Sequence, residues 1–241
     1  MLVTDRLVLY AAHCGSHPLE VMIGNDTATP KRRVRVEGCR AHPDAALGNG
    51  RDVAFCLLAE SITDVPAVLL LEDAEQELVR VGTPVTQIGF GLDTDEGVFG
   101  VKRRTTAEVQ RLGDDLVIAG TTGGTCEGDS GGPALVRLAD LDPALPSEWR
   151  LLGLLSAGTS FDCEVSTDHY SNIRGVRSWI ESESGVDLLG EGTKRPMPDG
   201  EQDAGSAGCQ ISGRRNDECL AFVIVQLVAL SLAARRRRVG G

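Results

Sequence analysis

The chain has 241 residues, of which 41% are hydrophobic and 4% aromatic, and a chain of this length can bury a sizeable core within one domain. Its net charge of −11 is unevenly spread: residues 190–241 hold 8 basic and 6 acidic side chains, so that residues 1–189 carry a net charge of −13. This acidic body excludes nucleic-acid binding through a basic face.

Short apolar or alternating segments, separated by turn residues, run through residues 1–189. In chain order they read LVLYAA, VMIG, RVRVEG, DVAFCLL, AVLLL, TQIGFG, GVKRRTTAEV, DLVIAG, PALVRL and LLGLLSAG. Such spacing is typical of a strand-rich sandwich or barrel. Residues 175–184 differ, because GVRSWIESES places Val176, Trp179 and Ile180 on one helical face. The sequence therefore predicts an all-β fold that ends in a single helix.

The C-terminal part of the chain has a different composition. Residues 190–208 are rich in glycine, proline and charge, which predicts a disordered linker. The last segment, 209–241, begins with Cys209 and contains the apolar run LAFVIVQLVALSLAA (220–234) followed by four arginines. A helix of that length spans roughly 22 Å at ~1.5 Å per residue, short of the ~30 Å hydrocarbon core. A membrane segment keeps such arginines on the cytoplasmic side. We therefore expect the chain to associate with a membrane and residues 1–189 to lie outside the cell.

This succession of a cysteine, a short apolar helix and an arginine cluster resembles the C-terminal sorting signals of myxobacterial surface proteins. In those signals the cysteine marks the processing site, and the helix retains the protein in the membrane until it is processed. The resemblance implies the processing role for Cys209. A local disulfide between Cys209 and Cys219 is the open alternative.

The chain contains seven cysteines, which are Cys14, Cys39, Cys56, Cys126, Cys163, Cys209 and Cys219. Their scattered spacing excludes a zinc site of the CxxC type. Disulfides in an oxidising compartment are the better interpretation, and they require export. The first residues lack the basic region, apolar core and cleavage site of a signal peptide. We therefore expect the natural start to lie upstream of Met1, and a protein that begins at Met1 is the alternative.

Three motifs carry a candidate nucleophile, base and orienting acid. CEGDSGGP at 126–133 places Ser130 in a glycine-rich loop, LYAAHC contains His13, and GRDVAF contains Asp52. A serine hydroxyl is a weak nucleophile, so it needs a base to take its proton and a third group to orient that base. The three motifs together supply all of these groups.

These motifs, in the order histidine, aspartate, serine, resemble those of trypsin-like serine proteases of the chymotrypsin fold. The resemblance covers residues 2–186 and implies two six-stranded antiparallel β-barrels followed by a C-terminal helix, with the first barrel incomplete at its N-terminus. It implies a protease domain over residues 1–189 in which His13, Asp52 and Ser130 form the catalytic triad. It implies no cofactor and no metal.

The resemblance also assigns the residues beside the nucleophile. The backbone amides of Gly128 and Ser130 would bind the oxyanion, and a side chain at Gly128 would crowd the substrate carbonyl. In the family the residue at the position of Asp129 receives the N-terminal ammonium released by zymogen cleavage. Since the sequence offers no such terminus, the resemblance implies an Asp129 without that partner and a collapsed oxyanion hole.

By the same resemblance, Cys126 and Cys163 form the disulfide across the primary specificity pocket. A second pair, Cys39 with Cys56, is expected because RVRVEGCRAHP runs beside DVAFCLL in this fold, and two buried thiols are the alternative. The family cysteine that would pair with Cys14 lies outside this sequence.

The pocket itself is expected to be atypical. Its wall strand, LLGLLSAG, offers Ser156, Ala157 and Gly158 to an extended substrate through backbone hydrogen bonds, and Ala157 stands where the family has a tryptophan. Gly124 stands where trypsin has the aspartate that binds Arg or Lys. Asp168 aligns with a position that also faces the pocket base, where a carboxylate can pair with a basic side chain. A loop aspartate pointing to water is the alternative, so the preference for basic or apolar residues stays open.

The sequence therefore predicts a serine endopeptidase that is exported from a bacterial cell, acts on polypeptides and is held at the cell surface by its C-terminal segment. A monomer is expected, although no sequence feature decides the oligomeric state. The rival interpretation is a truncated relic or a peptide-binding module. Such a protein would retain the three triad residues but lack a first barrel complete enough for catalysis. Upstream codons for a signal peptide and a further cysteine would favour the enzyme.

Overall fold

The computed structural model describes residues 1–15, 17–93, 97–120, 123–159, 163, 167–190 and, as backbone only, 208–212. The strands are β1 Leu7–Tyr10, β2 Glu20–Gly24, β3 Arg32–Ala41, β4 Ala54–Leu58, β5 Leu69–Leu70, β6 Pro84–Gly89, β7 Arg103–Arg111, β8 Asp115–Gly120, β9 Pro133–Arg137, β10 Trp149–Gly158, β11 Thr167–Asn172 and β12 Gly208–Ser212. The helices are α1 Asp73–Gln76, α2 Leu138–Leu141 and α3 Ile173–Ser184, and a 3-10 turn spans Ala12–Cys14.

Six strands close into an antiparallel barrel in the second half of the chain. Their order is β11-β8-β7-β6-β9-β10, and β10 pairs with β11 to complete the ring. The short β5 adds to β10 as a parallel edge strand. Alternate residues of barrel strands face inward, and the interior includes Leu116, Val136, Leu152 and Tyr170. The prediction of a six-stranded second barrel is confirmed.

The first half of the chain contributes to a five-stranded antiparallel sheet in the order β1-β4-β3-β2-β12. Its inner face is apolar and includes Tyr10, Val21, Val34 and Leu58. Among the strands that the structure describes, no ladder closes this sheet into a ring. This arrangement agrees with the expectation of an incomplete first barrel.

The predicted C-terminal helix is present as α3, which begins two residues before the predicted segment. The side chain of Asn172 caps it by accepting the N–H of Arg174, and Gly185 ends it in the left-handed conformation at φ 70°. Its buried residues are Ile173, Val176 and Ile180. They pack in one cluster with residues of β1, β4, β9 and β10. Helix α3 therefore stabilises the junction between the first sheet and the barrel.

The C-terminal segment is described only in part. The backbone of β12 pairs antiparallel with β2, and Cys209 lies in this strand. Most of the predicted linker lies outside the described residues, as do Cys219 and the apolar run 220–234. Among the helices that the structure describes, none is long and apolar enough to cross a membrane.

Candidate active site

The junction between the first sheet and the barrel brings His13, Asp52 and Ser130 together. His13 lies in the 3-10 turn that follows β1, Asp52 comes two residues before β4, and Ser130 lies in the loop before β9. Nδ1 of His13 is 2.5 Å from Oδ2 of Asp52, and Nε2 is 2.9 Å from Oγ of Ser130. The His13 backbone N–H also donates to Oδ1 of Asp52 at 2.9 Å. One carboxylate therefore fixes both the backbone and the ring of His13.

Asp52 is fully buried and determines which imidazole nitrogen carries the proton. Burial raises the pKa of Asp52, yet hydrogen bonds from His13 and from the Ser156 hydroxyl together outweigh it, so that the pKa is lowered from its ordinary value. An ionised carboxylate can only accept hydrogen bonds, so Nδ1 of His13 must donate. Nε2 is then the acceptor that faces the Ser130 hydroxyl, as a general base must.

Ser156 has a role that the sequence analysis missed. The analysis assigned its backbone to substrate binding, whereas the structure places its side chain against Asp52. The Ser156 hydroxyl donates to Oδ2 of Asp52 at 2.7 Å and accepts the N–H of Gly48 at 2.9 Å. Ser156 is 2% exposed, and a polar residue at the end of an apolar strand was the one signal that could have drawn attention to it.

The loop that carries Ser130 is held by glycine conformations and backbone hydrogen bonds. Gly128 has φ 90°, which favours glycine, and a Cβ added there would lie 2.3 Å from a ring carbon of Phe99. Gly131 donates its N–H to the carbonyl of Leu155 in β10 at 2.8 Å. Among the described residues, the amides of Gly128 and Ser130 donate to no backbone carbonyl. Neither amide is therefore committed to a backbone acceptor in this part of the structure.

Asp129 has hydrogen-bond partners that the sequence analysis did not anticipate. Its carboxylate accepts the N–H of Gly91 at 2.7 Å and the N–H of Cys126 at 2.8 Å. The pKa of Asp129 is raised to about 6. Burial is the largest cause and the negative charge of Asp168 also raises it, while the two amides and Arg103 act in the opposite direction. These two amides give the buried Asp129 carboxylate hydrogen-bond partners in place of an N-terminal ammonium. The collapse of the oxyanion hole stays a prediction.

Asp168 points inward, and the alternative of an aspartate in water is wrong, since the residue is fully buried. In the barrel it lies opposite Gly158 on β10 and Ile118 on β8. Its Oδ1 accepts the Thr125 hydroxyl at 2.8 Å, and its Oδ2 accepts Nε2 of Gln87 at 2.7 Å and the Thr125 N–H at 3.3 Å. The carboxylate thus lies between Thr125 of the loop that leads to Ser130 and Gln87 of β6.

Gln87 and Thr125 were not singled out from the sequence. Gln87 lies in the apolar-looking run TQIGFG, and its Nε2 also donates to the Tyr170 hydroxyl at 3.1 Å. Burial raises the pKa of Tyr170 well above its ordinary value, and the charge of Asp168 adds to this effect. Gln87 therefore donates to both the Tyr170 hydroxyl and the Asp168 carboxylate, and Thr125 donates to the same carboxylate.

The other predicted pocket residues lie on the surrounding backbone. Gly124 donates its N–H to the carbonyl of Cys163 at 3.0 Å. Ala157 is half-buried and follows an irregularity in the β10–β11 pairing, and Gly158 is exposed. The pocket wall therefore has little side-chain volume at these positions.

Four of the described cysteines form two disulfides. Cys126 is bonded to Cys163, with Cα atoms 4.9 Å apart, and Cys39 is bonded to Cys56 across the β3–β4 pair. Cys14 belongs to neither bond; it is buried, and its Sγ lies 3.6 Å from Nε2 of His13. Within the part of the chain that the structure describes, no group of three or more His, Cys, Asp or Glu side chains could hold a metal ion.

Comparisons with known proteins agree with this geometry. A protein-family model described as Trypsin matches residues 1–180. The chain is similar to vitamin K-dependent protein C of Mus musculus, with 27% identity over 222 residues that cover 78% of this chain and 47% of that protein. It is also similar to brachyurin of Leptuca pugilator (26% over 208 residues, 77% of this chain and 86% of that protein) and to kallikrein-7 of Homo sapiens (25% over 200 residues, 75% and 74%). The chain thus spans about half the length of protein C.

Proposed function

The chain belongs to the trypsin family, and from this premise we propose that it is a serine endopeptidase that hydrolyses peptide bonds through an acyl-enzyme. The observation that carries the proposal is the continuous hydrogen-bonded series from Asp52 through His13 to Ser130, with distances of 2.5 Å and 2.9 Å. A general base within hydrogen-bond distance of a hydroxyl nucleophile is the arrangement that acyl transfer requires.

The proposed reaction has two steps. In the first, Oγ of Ser130 attacks the peptide carbonyl while Nε2 of His13 takes the hydroxyl proton, and the same proton is then given to the leaving amine. Asp52 stabilises the imidazolium that forms and keeps Nδ1 protonated. In the second step, water activated by His13 attacks the ester on Ser130 and releases the acid.

The amides of Gly128 and Ser130 are proposed to bind the oxyanion of each tetrahedral intermediate. The described residues supply no backbone acceptor for them, which supports this role. Donors that are already oriented toward the developing charge need no rearrangement during the reaction, which is why such sites contribute strongly to rate.

The substrate is proposed to be an extended polypeptide with Arg or Lys before the cleaved bond. Ser156, Ala157 and Gly158 would pair with the substrate backbone as an added strand. Gly124 leaves its side of the pocket uncharged, so the inward-facing carboxylate of Asp168 supplies the negative charge. A buried carboxylate favours a cationic partner over an apolar one because a cation can pair with its negative charge and an apolar side chain cannot.

We further propose that the protein is exported from a bacterial cell and associates with its surface. The two disulfides support an oxidising compartment. In this proposal Cys209 is the processing site and 220–234 is the temporary membrane segment. Cell fractionation of Cys209→Ser, with Cys219→Ser as the matched control, tests it: surface retention lost only in the first variant supports the proposal, and retention in both contradicts it.

The proteolytic activity is tested with Ser130→Ala and with an exposed serine, Ser61, changed to alanine as the control. Wild type and Ser61→Ala should hydrolyse peptide amides and incorporate a fluorophosphonate probe at Ser130. Ser130→Ala should lose kcat by on the order of 10⁵ to 10⁶. A folded wild-type protein that neither turns over substrate nor takes up the probe would instead establish the rival interpretation of an inactive, protease-like protein.

A further inference from the structure

A buried amide lies beside the carboxylate of Asp168. Gln87 is 1% exposed on β6, and its Nε2 donates both to Oδ2 of Asp168 at 2.7 Å and to the hydroxyl of Tyr170 at 3.1 Å. The bond to Asp168 is shorter than the 2.8 Å and 3.3 Å bonds that Thr125 makes to the same carboxylate. Both N–H directions of the amide are therefore used.

The position of Gln87 in the strand makes this amide unusual. Residues two apart in a strand share a face, and Val85, two residues earlier, belongs to the apolar interior of the barrel. Gln87 thus points into a space that apolar side chains otherwise fill. An amide placed there destabilises the fold unless its polar atoms are hydrogen-bonded.

One polar atom of Gln87 lacks this compensation. Its Oε1 is buried and accepts no hydrogen bond from the described residues. An apolar side chain of similar volume would remove that unfavourable burial, so packing alone does not account for a glutamine here. The bond from Nε2 to the Asp168 carboxylate is the contact that an apolar side chain could not make.

We propose that Gln87 is a positioning residue for substrate selection: it fixes the Asp168 carboxylate in the orientation that receives a basic side chain, and its Oε1 supplies a second acceptor for that cation. This inference rests on the proposed function, because it concerns the same pocket. It adds a residue that acts through Asp168 and does not touch the reacting atoms.

The contacts explain how Gln87 would act. Thr125 donates to both carboxylate oxygens from the loop of Ser130, and Gln87 donates from the opposite side, within the barrel. Three donors from two elements fix the plane of the carboxylate as well as its position. Without Gln87, Oδ2 loses a donor at 2.7 Å, and the Thr125 N–H lies farther away at 3.3 Å, so the carboxylate can turn away from the incoming cation.

The test measures binding of a small cation in the full chain, independently of catalysis. Benzamidine is the cationic probe and benzyl alcohol the neutral one, and their affinities are compared for wild type and Gln87→Met, which keeps the length of the side chain but has no N–H. Wild type should bind benzamidine at least tenfold more tightly than benzyl alcohol. Gln87→Met should weaken benzamidine about tenfold, as expected for the loss of one hydrogen bond to a charged group, and leave benzyl alcohol within about twofold.

Tyr170→Phe is the matched control, because it removes the other acceptor of the same Nε2 and leaves the contact with Asp168 in place. It should retain the preference for the cation within about twofold. Gln87→Asn, which keeps an amide but is too short to reach Asp168, should behave like Gln87→Met and serves in its place if the methionine variant does not fold. A merely structural role for Gln87 would weaken both probes equally and would affect Tyr170→Phe to the same degree.

The outcomes separate this inference from the proposed function. If wild type binds benzamidine selectively but hydrolyses no peptide, the inference stands and the endopeptidase proposal fails. If wild type hydrolyses peptides yet binds both probes alike, or if Gln87→Met retains the full preference for benzamidine, the role of Gln87 is overturned. Rates on matched peptides with Lys or Met before the cleaved bond give the same comparison in active protein.

Discussion

Replacement of Asp129 by asparagine should remove a pH-dependent loss of stability that the buried carboxylate causes. The pKa of Asp129 is raised, with burial as the largest cause, from its ordinary value of 3.8 to about 6 in the folded protein. Between these two values the folded state holds a proton that the unfolded state has lost, so rising pH favours unfolding. A difference of about two pKa units corresponds to about 3 kcal/mol, absent below pH 4 and fully present above pH 6. Asparagine does not titrate and so lacks this dependence.

The measurement is urea-induced unfolding of the disulfide-intact protein at several values between pH 3.5 and 7.5. The free energy of unfolding of wild type, minus that of Asp129→Asn, should fall by about 3 kcal/mol as the pH rises through this window. Titrating groups that do not interact with Asp129 are shared and cancel in the difference. Asp5→Asn, at an exposed position, is the control for the loss of one carboxylate. A difference that is flat with pH, or that rises, would refute the reasoning.

Two further substitutions test the geometry around Ser130. Ser156→Ala removes a hydroxyl that donates to Asp52 at 2.7 Å. It should lower kcat/KM by about tenfold or more, which is the effect of losing one hydrogen bond to a charged group. Unchanged peptide hydrolysis would show that His13 alone holds this carboxylate. Gly128→Ala places a methyl group 2.3 Å from Phe99 at a φ of 90°. It should therefore lower the free energy of unfolding by about 1 to 3 kcal/mol. A variant as stable as wild type in urea would show that the loop adapts.

Much of the fold could be predicted because its signals are local. Short apolar runs bounded by turn residues gave the barrel strands, and the helical face of Val176, Trp179 and Ile180 gave α3. The nucleophile loop was equally readable, since CEGDSGGP combines a serine, glycines and a cysteine within eight residues. Each of these features depends on neighbours in the sequence, which periodicity and motif spacing report directly.

The surroundings of the two inner carboxylates could not be predicted, because their partners are remote or lack a side-chain signal. Asp129 accepts the backbone N–H of Gly91. Nearly every residue type has a backbone N–H, so the sequence does not show which one will donate to Asp129. Gln87 lies 81 residues from Asp168, in a run that resembles any buried strand. Only the closure of the barrel places these groups side by side.

The carboxylates of Asp129 and Asp168 connect the pocket to the loop of the nucleophile. The charge of Asp168 is one of the causes that raise the pKa of Asp129. A cation bound at Asp168 would offset that charge, and linkage then requires Asp129 to ionise more readily in the bound state. Since the Asp129 carboxylate accepts the amides of Gly91 and Cys126, its ionisation strengthens the contacts that hold the loop around Ser130. A basic side chain that paired with Asp168 would therefore lower the pKa of Asp129, whereas an apolar side chain of the same size would leave the repulsion between the two carboxylates in place.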